Sequence, residues 1–301
     1  MKKLLVIGGS GFLGSHFVSA ATKEYEVYSL SKNRLSKDEE IHNVNYLYCD
    51  LRDKKKLDVL VDNDFSYVMN FGGYVDHSYF NQTGNEVIRS HFGGLLNILS
   101  IIDFSKIESF VNIGTGDEYW GKNSPMRESY SGKPYSCYSF SKIISNNLLC
   151  FLNEFEGLKT LNIRLFLVYG PGQTNNRFLP QVITSCLKNE KFNVSPGEQI
   201  RDFAYIEDIV EGLLIAMKST NFFGETFNLA SGKPLKIKKL VETVVEILGK
   251  GKPVFGGLEY RQNEQMSLYA DITKAYKELG WSPKTNIEEG LQKTIDSYIN
   301  E

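Results

Sequence analysis

Lys3-Leu4-Leu5-Val6-Ile7-Gly8-Gly9-Ser10-Gly11-Phe12-Leu13-Gly14 decides how the rest of the chain is read. A short apolar run breaks into glycines at Gly8, Gly11 and Gly14, then continues as an amphipathic segment to about Thr22. That order is strand, tight turn, helix start. Glycine lets the backbone turn sharply and approach a pyrophosphate without a Cβ clash. The helix N-terminus then adds free N–H groups and the positive end of its dipole. Met1-Lys2-Lys3 ahead of apolar residues, with Ser19-Ala20-Ala21 beyond, superficially fits a secretory signal. Glycines and a serine in the middle of the apolar stretch argue against that, so the expected location is cytoplasmic.

The chain of 301 residues is long enough for a large core, in one domain with an appendage or in two domains. A net charge of −2 argues against general binding to nucleic acid or an anionic membrane. No apolar run reaches the length of a membrane span. Cys49, Cys137, Cys150 and Cys186 form no C-x-x-C pair and read as reduced, packed thiols. His16, His42, His77 and His91 are scattered without metal-ligand spacing, and no metal site is expected.

Strand-like and helix-like stretches alternate through the first half. Strands are expected at 26–30, 45–49, 67–71, 109–113 and 160–168, and helices at 87–102 and 138–155. Alternation of this kind implies right-handed crossovers and an α/β fold, a Rossmann-type doubly wound parallel sheet. Chemistry should then collect in the loops after Ile7, Leu30, Cys49, Phe71, Ile113 and Val168, at the carboxyl ends of the strands. Beyond Pro171 the pattern changes to helices near 178–188, 206–218, 237–248, 272–279 and 287–299, separated by short strands and turns. The expected organisation is a dinucleotide-binding domain from 1–170 and 201–230. A smaller α/β substrate domain is expected from 171–200 and 231–301.

The loop after the second strand discriminates cofactors. An acid there bonds the adenosine ribose hydroxyls of NAD and repels the extra phosphate of NADP. Leu30-Ser31-Lys32-Asn33-Arg34 holds no acid; its serine and two cations suit a 2′-phosphate. NADP(H) is therefore favoured over NAD(H), and Asp50 is a candidate for the adenine amino group. Tyr138-Ser139-Phe140-Ser141-Lys142 puts a tyrosine and a lysine one helical turn apart on one face. An ammonium beside a phenol favours the phenolate, which suits proton exchange with substrate. Tyr28-x-x-x-Lys32 matches the same loose pattern but lies on an expected strand, where residues four apart are far from one turn's separation.

Gly8-x-x-Gly11-x-x-Gly14, Tyr138-x-x-x-Lys142, Arg164-Leu-Phe-Leu-Val-Tyr-Gly-Pro171, Arg201-Asp-Phe-Ala-Tyr-Ile-Glu-Asp208 and Leu279-Gly280-Trp281-Ser282-Pro283 form a set. Together they resemble the extended short-chain dehydrogenase/reductase family over essentially the whole chain. Within it, Gly197 to Phe203 and Arg261 to Met266 look most like CDP-abequose synthase, a 4-ketosugar reductase. The resemblance implies a nucleotide-diphosphate sugar as substrate, a homodimer, and a deoxysugar made for a surface polysaccharide. It also implies a catalytic Tyr138, a Lys142 that binds the nicotinamide ribose, and Thr115 in the hydroxyl role. Gly8, Gly11, Phe12, Leu13, Gly14, Asp50, Leu51, Phe71 and Gly72 would surround the cofactor. Asn176, Arg177, Arg201 and Arg261 would take the nucleotide sugar.

Departures from the family pattern matter as well. Gly114-Thr115-Gly116-Asp117-Glu118-Tyr119-Trp120-Gly121 is one residue longer than the usual segment. Anchoring on Gly121 puts Gly116 at the catalytic position, whereas anchoring on Thr115 leaves a hydroxyl there. Gly72-Gly73 replaces an alanine pair, Ser90 an asparagine, and Leu167 another asparagine. The function these residues imply is a 4-keto-deoxysugar reductase, with a 4,6-dehydratase or epimerase as the alternative. Asp117 and Glu118 read as a solvated loop tip.

Overall fold

In this computed structural model, residues 1–60 and 64–300 are described. β1 (Lys3–Ile7) is almost wholly apolar because both of its faces are covered: Leu4, Leu5 and Val6 are completely buried. It pairs in parallel with β2 (Glu26–Ser31), Ile7 opposite Leu30, and with β4 (Tyr67–Asn70), Ile7 opposite Asn70. β3 (Val44–Tyr48) lies parallel to β2, and β5 (Ser109–Thr115) parallel to β4. With β6 (Thr160–Leu165) and β10 (Thr226–Leu229) the order of the seven-stranded sheet is β10-β6-β5-β4-β1-β2-β3. The order reverses between β1 and β4, and the crevice at the carboxyl ends of these strands is the usual ligand entry of such sheets.

Helices cover the sheet and close the core. α1 (Phe12–Ala21) follows the glycine turn. The helical run after β4 starts before the expected 87–102: a π-type turn at Phe80–Gly84 leads into α2 (Asn85–Ile88), and a second at Arg89–Gly93 leads into α3 (Gly94–Leu99). α4 (Cys137–Glu156) is capped by Ser136 and closed by Gly157 at φ +75°. Leu95 and Ile98 of α3 and Leu149 and Leu152 of α4 join Leu5, Val68 and Phe110 in one apolar cluster. Each such side chain contributes about 1.5–3 kcal/mol by leaving water. Through the middle of the sheet runs a ladder of buried amides. Asn70 donates to Asn112 (2.9 Å) and Asn112 to Asn162 (3.1 Å), while Asn70 Oδ1 accepts from the Gly72 amide (3.0 Å).

The single strand expected over 160–168 is two. β6 stays in the large sheet, and after Phe166 the chain enters β7 (Leu167–Tyr169), whose partner is β9 (Ile200–Tyr205), Leu167 opposite Phe203. β9 also pairs with β11 (Pro234–Lys236) and β13 (Ser267–Leu268), and β8 (Lys191–Val194) with β12 (Lys252–Phe255). The remaining helices are α5 (Phe178–Leu187), α6 (Ile206–Lys218), α7 (Ile237–Leu248) and α8 (Ile287–Asn300). The expected helix at 272–279 is a short turn whose last residues, Ala275–Leu279, wind as a π-helix.

The chain forms two compact units. One comprises Met1–Trp120, Ser131–Arg164 and Val210–Phe227; the other comprises Gly121–Tyr130, Leu165–Ile209 and Asn228–Glu301. This division corrects the expected boundaries, because 121–130, 165–170, 201–209 and 228–230 belong to the second unit. The reason is pairing: β9 takes its partners from β7, β11 and β13, and Met126 bridges Ala270. Two of the quoted motifs are braces of that unit. Buried Asp202 accepts from the Ser231, Gly232 and Ala270 amides (2.7, 3.0 and 3.1 Å), and the Trp281 indole donates to the Asp208 carbonyl (3.0 Å).

Candidate active site

The turn after β1 is built for a close approach. Gly8 sits at φ +77°, donates to the Leu30 carbonyl (2.7 Å) and accepts from the Gly11 amide (3.1 Å). A Cβ on Gly14 would stand 2.2 Å from the Gly8 oxygen, so only glycine lets α1 pack onto the turn. Gly11 caps α1 without a side-chain bond, which leaves the first-turn amides to an anion, and a Cβ there would meet nothing but the Gly8 oxygen, at 3.3 Å. These features fit a dinucleotide pyrophosphate. Phe12 lies edge-on to His16, Leu13 is half-buried, and the Phe71 ring meets Phe17 edge-on. Leu51 packs beneath Gly72 and Gly94, where added Cβ atoms would come within 3.0 and 2.8 Å of it.

The loop after β2 is partly engaged within the protein. Ser31 is buried, and its hydroxyl accepts from the Ser10 amide (3.1 Å), so it belongs to the glycine turn. Lys32 lies 3.4 Å from Asp50, and the Arg34 guanidinium sits over the Tyr48 ring. Arg52 grips Asp50 through its guanidinium and backbone amide and holds that carboxyl well below the usual carboxylate range. The Asp50 charge is therefore already balanced within the protein. Tyr28 lies within β2 and donates to Glu26 (2.7 Å), apart from any lysine on a shared helix face.

Tyr138 and Lys142 come together as the spacing requires. Ser136 accepts from the Ser139 amide at the start of α4, fixing the first turn that carries Tyr138. One turn on, Lys142 Nζ stands 5.9 Å from the Tyr138 ring centre and donates to the Ile113 carbonyl (2.7 Å) at the end of β5. Burial pulls the Lys142 ammonium down to about 8, with the Glu118 charge working in the opposite direction. Thr115 ends β5 and caps the turn Gly116–Tyr119, accepting from the Asp117 amide (3.3 Å). Gly116 is buried within the turn and Trp120 follows it, so the hydroxyl at the end of β5 is that of Thr115.

Glu118 is not part of a solvated loop tip. It is buried, accepts from the Thr115 amide (2.9 Å), and pairs with Arg164 Nε at 2.8 Å, while the Arg164 guanidinium covers the Tyr119 ring at 4.5 Å. A Cβ on Gly114 would stand 2.4 Å from the Glu118 carboxylate, which explains the glycine. Asp117 instead faces His77, Oδ2 to Nε2 at 3.8 Å. Two histidines that sequence reasoning passed over flank Tyr138: His77 and His91 both meet its ring edge-on, at 5.6 and 5.4 Å. His91 is buried, driven down to about 3 by burial and by Lys142, and its Nδ1 has no hydrogen-bond partner. A Cβ on Gly73, at φ +113°, would come 2.0 Å from the His91 ring, so glycine at that position was the one sequence sign of an imidazole beneath it.

The expected substrate residues all lie in the second unit. Asn176 accepts from the Thr174 hydroxyl (2.7 Å), and Arg177 is the exposed N-cap of α5. Arg201, on β9, donates to the Ile200 carbonyl (2.7 Å) and pairs with Glu264. Arg261 is exposed in the loop before β13. Among the described residues no group of three or more His, Cys, Asp or Glu could hold a metal ion, and no helix is long and apolar enough to cross a membrane.

Residues 4–230 match the model of the NAD dependent epimerase/dehydratase family. The chain belongs to that family. It is 30% identical to an uncharacterized protein of Methanocaldococcus jannaschii, over 99% of this chain and 96% of that one. It is also 30% identical to a UDP-glucuronate 4-epimerase of Thermodesulfobacterium geofontis, over 69% of this chain and 65% of that one. The crystal structure of a UDP-glucose 4-epimerase with UDP-glucose from Thermotoga maritima superposes with a TM-score of 0.91 at 25% identity, covering 99% of each chain. As a member of the epimerase/dehydratase family the chain is a nucleotide-sugar enzyme with a Rossmann-like dinucleotide-binding sheet.

Proposed function

We propose that the chain is an NADP(H)-dependent 4-keto-deoxysugar reductase acting on a nucleotide-diphosphate sugar. The observation that carries this reading is the placement of Glu118. A 4,6-dehydratase needs an acid and a base beside its tyrosine. The Glu118 and Arg164 side chains are only 1% and 10% exposed, a sealed ion pair, so Glu118 has no free proton to trade with substrate. Proton transfer at C4 by Tyr138 is then the chemistry the site supports. A bound nicotinamide supplies the hydride to C4. Tyr138 gives its phenolic proton to the C4 oxygen, Thr115 Oγ1 hydrogen-bonds that oxygen, and the Lys142 cation stabilises the phenolate that remains. The nucleotide diphosphate falls to Asn176, Arg177, Arg201 and Arg261, guanidinium being suited to phosphate oxygens.

The loop after β2 supports the reductase over an epimerase, because it offers Lys32 and Arg34 to a 2′-phosphate and no acid to a ribose. A second reading, a 4-epimerase, is favoured by the similarity to UDP-glucuronate and UDP-glucose 4-epimerases. The two separate in one assay. Purified protein is given NADPH or NADH with CDP-, GDP-, UDP- and dTDP-linked 4-keto-6-deoxyhexoses. A reductase consumes reduced cofactor in step with ketosugar, NADPH faster than NADH, and Tyr138→Phe lowers kcat by about 10²–10⁴. Interconversion of UDP-hexoses without added cofactor would instead establish the epimerase. We also propose a homodimer through the outer face of α4, where Phe140, Phe151 and Phe155 are 40%, 49% and 67% exposed.

A further inference from the structure

Tyr138 stands between two imidazoles of opposite character. His91 is buried and neutral, and its Nε2 is occupied by the Tyr74 carbonyl (2.8 Å). His77 is different. Its side chain is 32% exposed, it lies edge-on to the Tyr138 ring, and its other face stacks on Tyr135 at 5.7 Å. Each of its nitrogens faces a polar group: Nδ1 is 3.3 Å from Ser136 Oγ, the cap of α4, and Nε2 is 3.8 Å from Asp117 Oδ2. The charged groups around it are Asp117 on the turn after β5 and Asp76 beside it in the chain; Asp76 is bound by Ser78 and Thr83. From α4 and the segment before it come Tyr135, Ser136 and Tyr138.

A reductase differs from an epimerase in its proton balance. Reduction of a ketone takes one hydride from the reduced nicotinamide and one proton from Tyr138, so the phenolate must regain a proton from solvent at every turnover. An epimerase recovers that proton on its return step. We propose that His77, held between Asp117 and Ser136, is the group that returns the proton to Tyr138. The His77 imidazolium gives up its N–H proton to the Tyr138 oxygen through one water. The neutral imidazole then takes a proton from solvent on its exposed side, and the Asp117 carboxylate stabilises the cation so formed. This rests on the reductase reading. It assigns Asp117 a positioning role for His77 and gives the glycine-lengthened segment after Thr115 a purpose.

Two measurements test it on the whole protein. With ¹³Cε1-labelled histidine, the NMR titration of His77, assigned by its loss in His77→Gln, should fall to lower pH in Asp117→Asn and change in Tyr138→Phe. With NADPH and the ketosugar accepted in the panel above, His77→Ala and His77→Gln should each lose about 10²-fold in kcat, the ordinary share of one acid–base group, with KM nearly unchanged. Added imidazole should restore His77→Ala, whereas pyrazole, of the same shape but weakly basic, should not. A His77 titration indifferent to Tyr138→Phe, or an unchanged kcat and pH profile in both folded variants, overturns the proposal and leaves the reductase standing. Rescue by pyrazole as good as by imidazole makes His77 a packing residue only and overturns it as well. Wild-type interconversion of UDP-hexoses with no net use of cofactor removes the reductase itself, and this proposal falls with it.

Discussion

Lys142 is the residue whose surroundings set a measurable limit on the chemistry. Its ordinary value of 10.5 is lowered to about 8 by burial, with Glu118 opposing. The unfolded chain therefore binds this proton more tightly than the folded one. Its burial costs stability below about pH 8, and that cost is relieved as the pH rises from about 8 towards 10.5. The proposed catalysis runs the other way, since in it Lys142 acts as the ammonium beside Tyr138. We expect kcat/KM to fall as the pH passes about 8, where Lys142 loses its proton. Glu118→Gln removes the charge that holds the proton on, so the falling limb should move to lower pH. A pH–rate profile of the two proteins checks both expectations. The same substitution leaves Arg164 buried without its counter-charge, and a stability loss of about 3–5 kcal/mol should accompany it in a denaturant melt.

At the scale of elements, the loop after β4 and the helical run behind it are fitted to one another through Gly73 and His91. The glycine conformation at φ +113° and the imidazole 2.0 Å from any added Cβ are one arrangement. Gly73→Ala brings both a strained backbone and a clash, and should destabilise the fold by about 1–3 kcal/mol from the strain, more with the overlap. Adding His91→Val shortens the offending side chain and should return the overlap share while leaving the strain. Thermal melts of the two single variants and the double variant read the coupling directly. If the double variant is no more stable than Gly73→Ala, the ring is not what requires glycine there.

For the molecule as a whole, the proposed homodimer forms through α4. The Phe151 and Phe155 rings lie tilted against one another at 5.2 Å and are exposed, as is Phe140, an apolar strip on the same helix that carries Tyr138 and Lys142. Burying such a strip against a second copy removes it from water. The wild type should sediment as a dimer. Phe151→Glu with Phe155→Glu should sediment as a folded monomer, since both side chains are already solvated in one chain. A monomeric wild type would dismiss the proposed interface.

Features set by short-range physics are legible in the order of the residues. Gly8 and Gly14 could be read because backbone conformation and steric contact at a turn depend on the residues next to it. The alternation of strand and helix, and with it the doubly wound parallel sheet, followed from periodicity, whereas the strand Thr226–Leu229 at its edge did not. Tyr138 and Lys142 could be paired because one helical turn fixes their spacing. The tertiary structure alone decided what depends on the segment lying opposite. Glu118 looked like a solvated acid until Arg164, 46 residues on, was folded against it. Phe166 gave no sign that the strand leaves one sheet for another, because both halves carry apolar residues and only the partner strand differs. His77 and His91 had no local pattern to betray them. An imidazole becomes exposed and poised, or buried and neutral, through desolvation and neighbouring charge, and both are set by contacts that only the folded chain brings together.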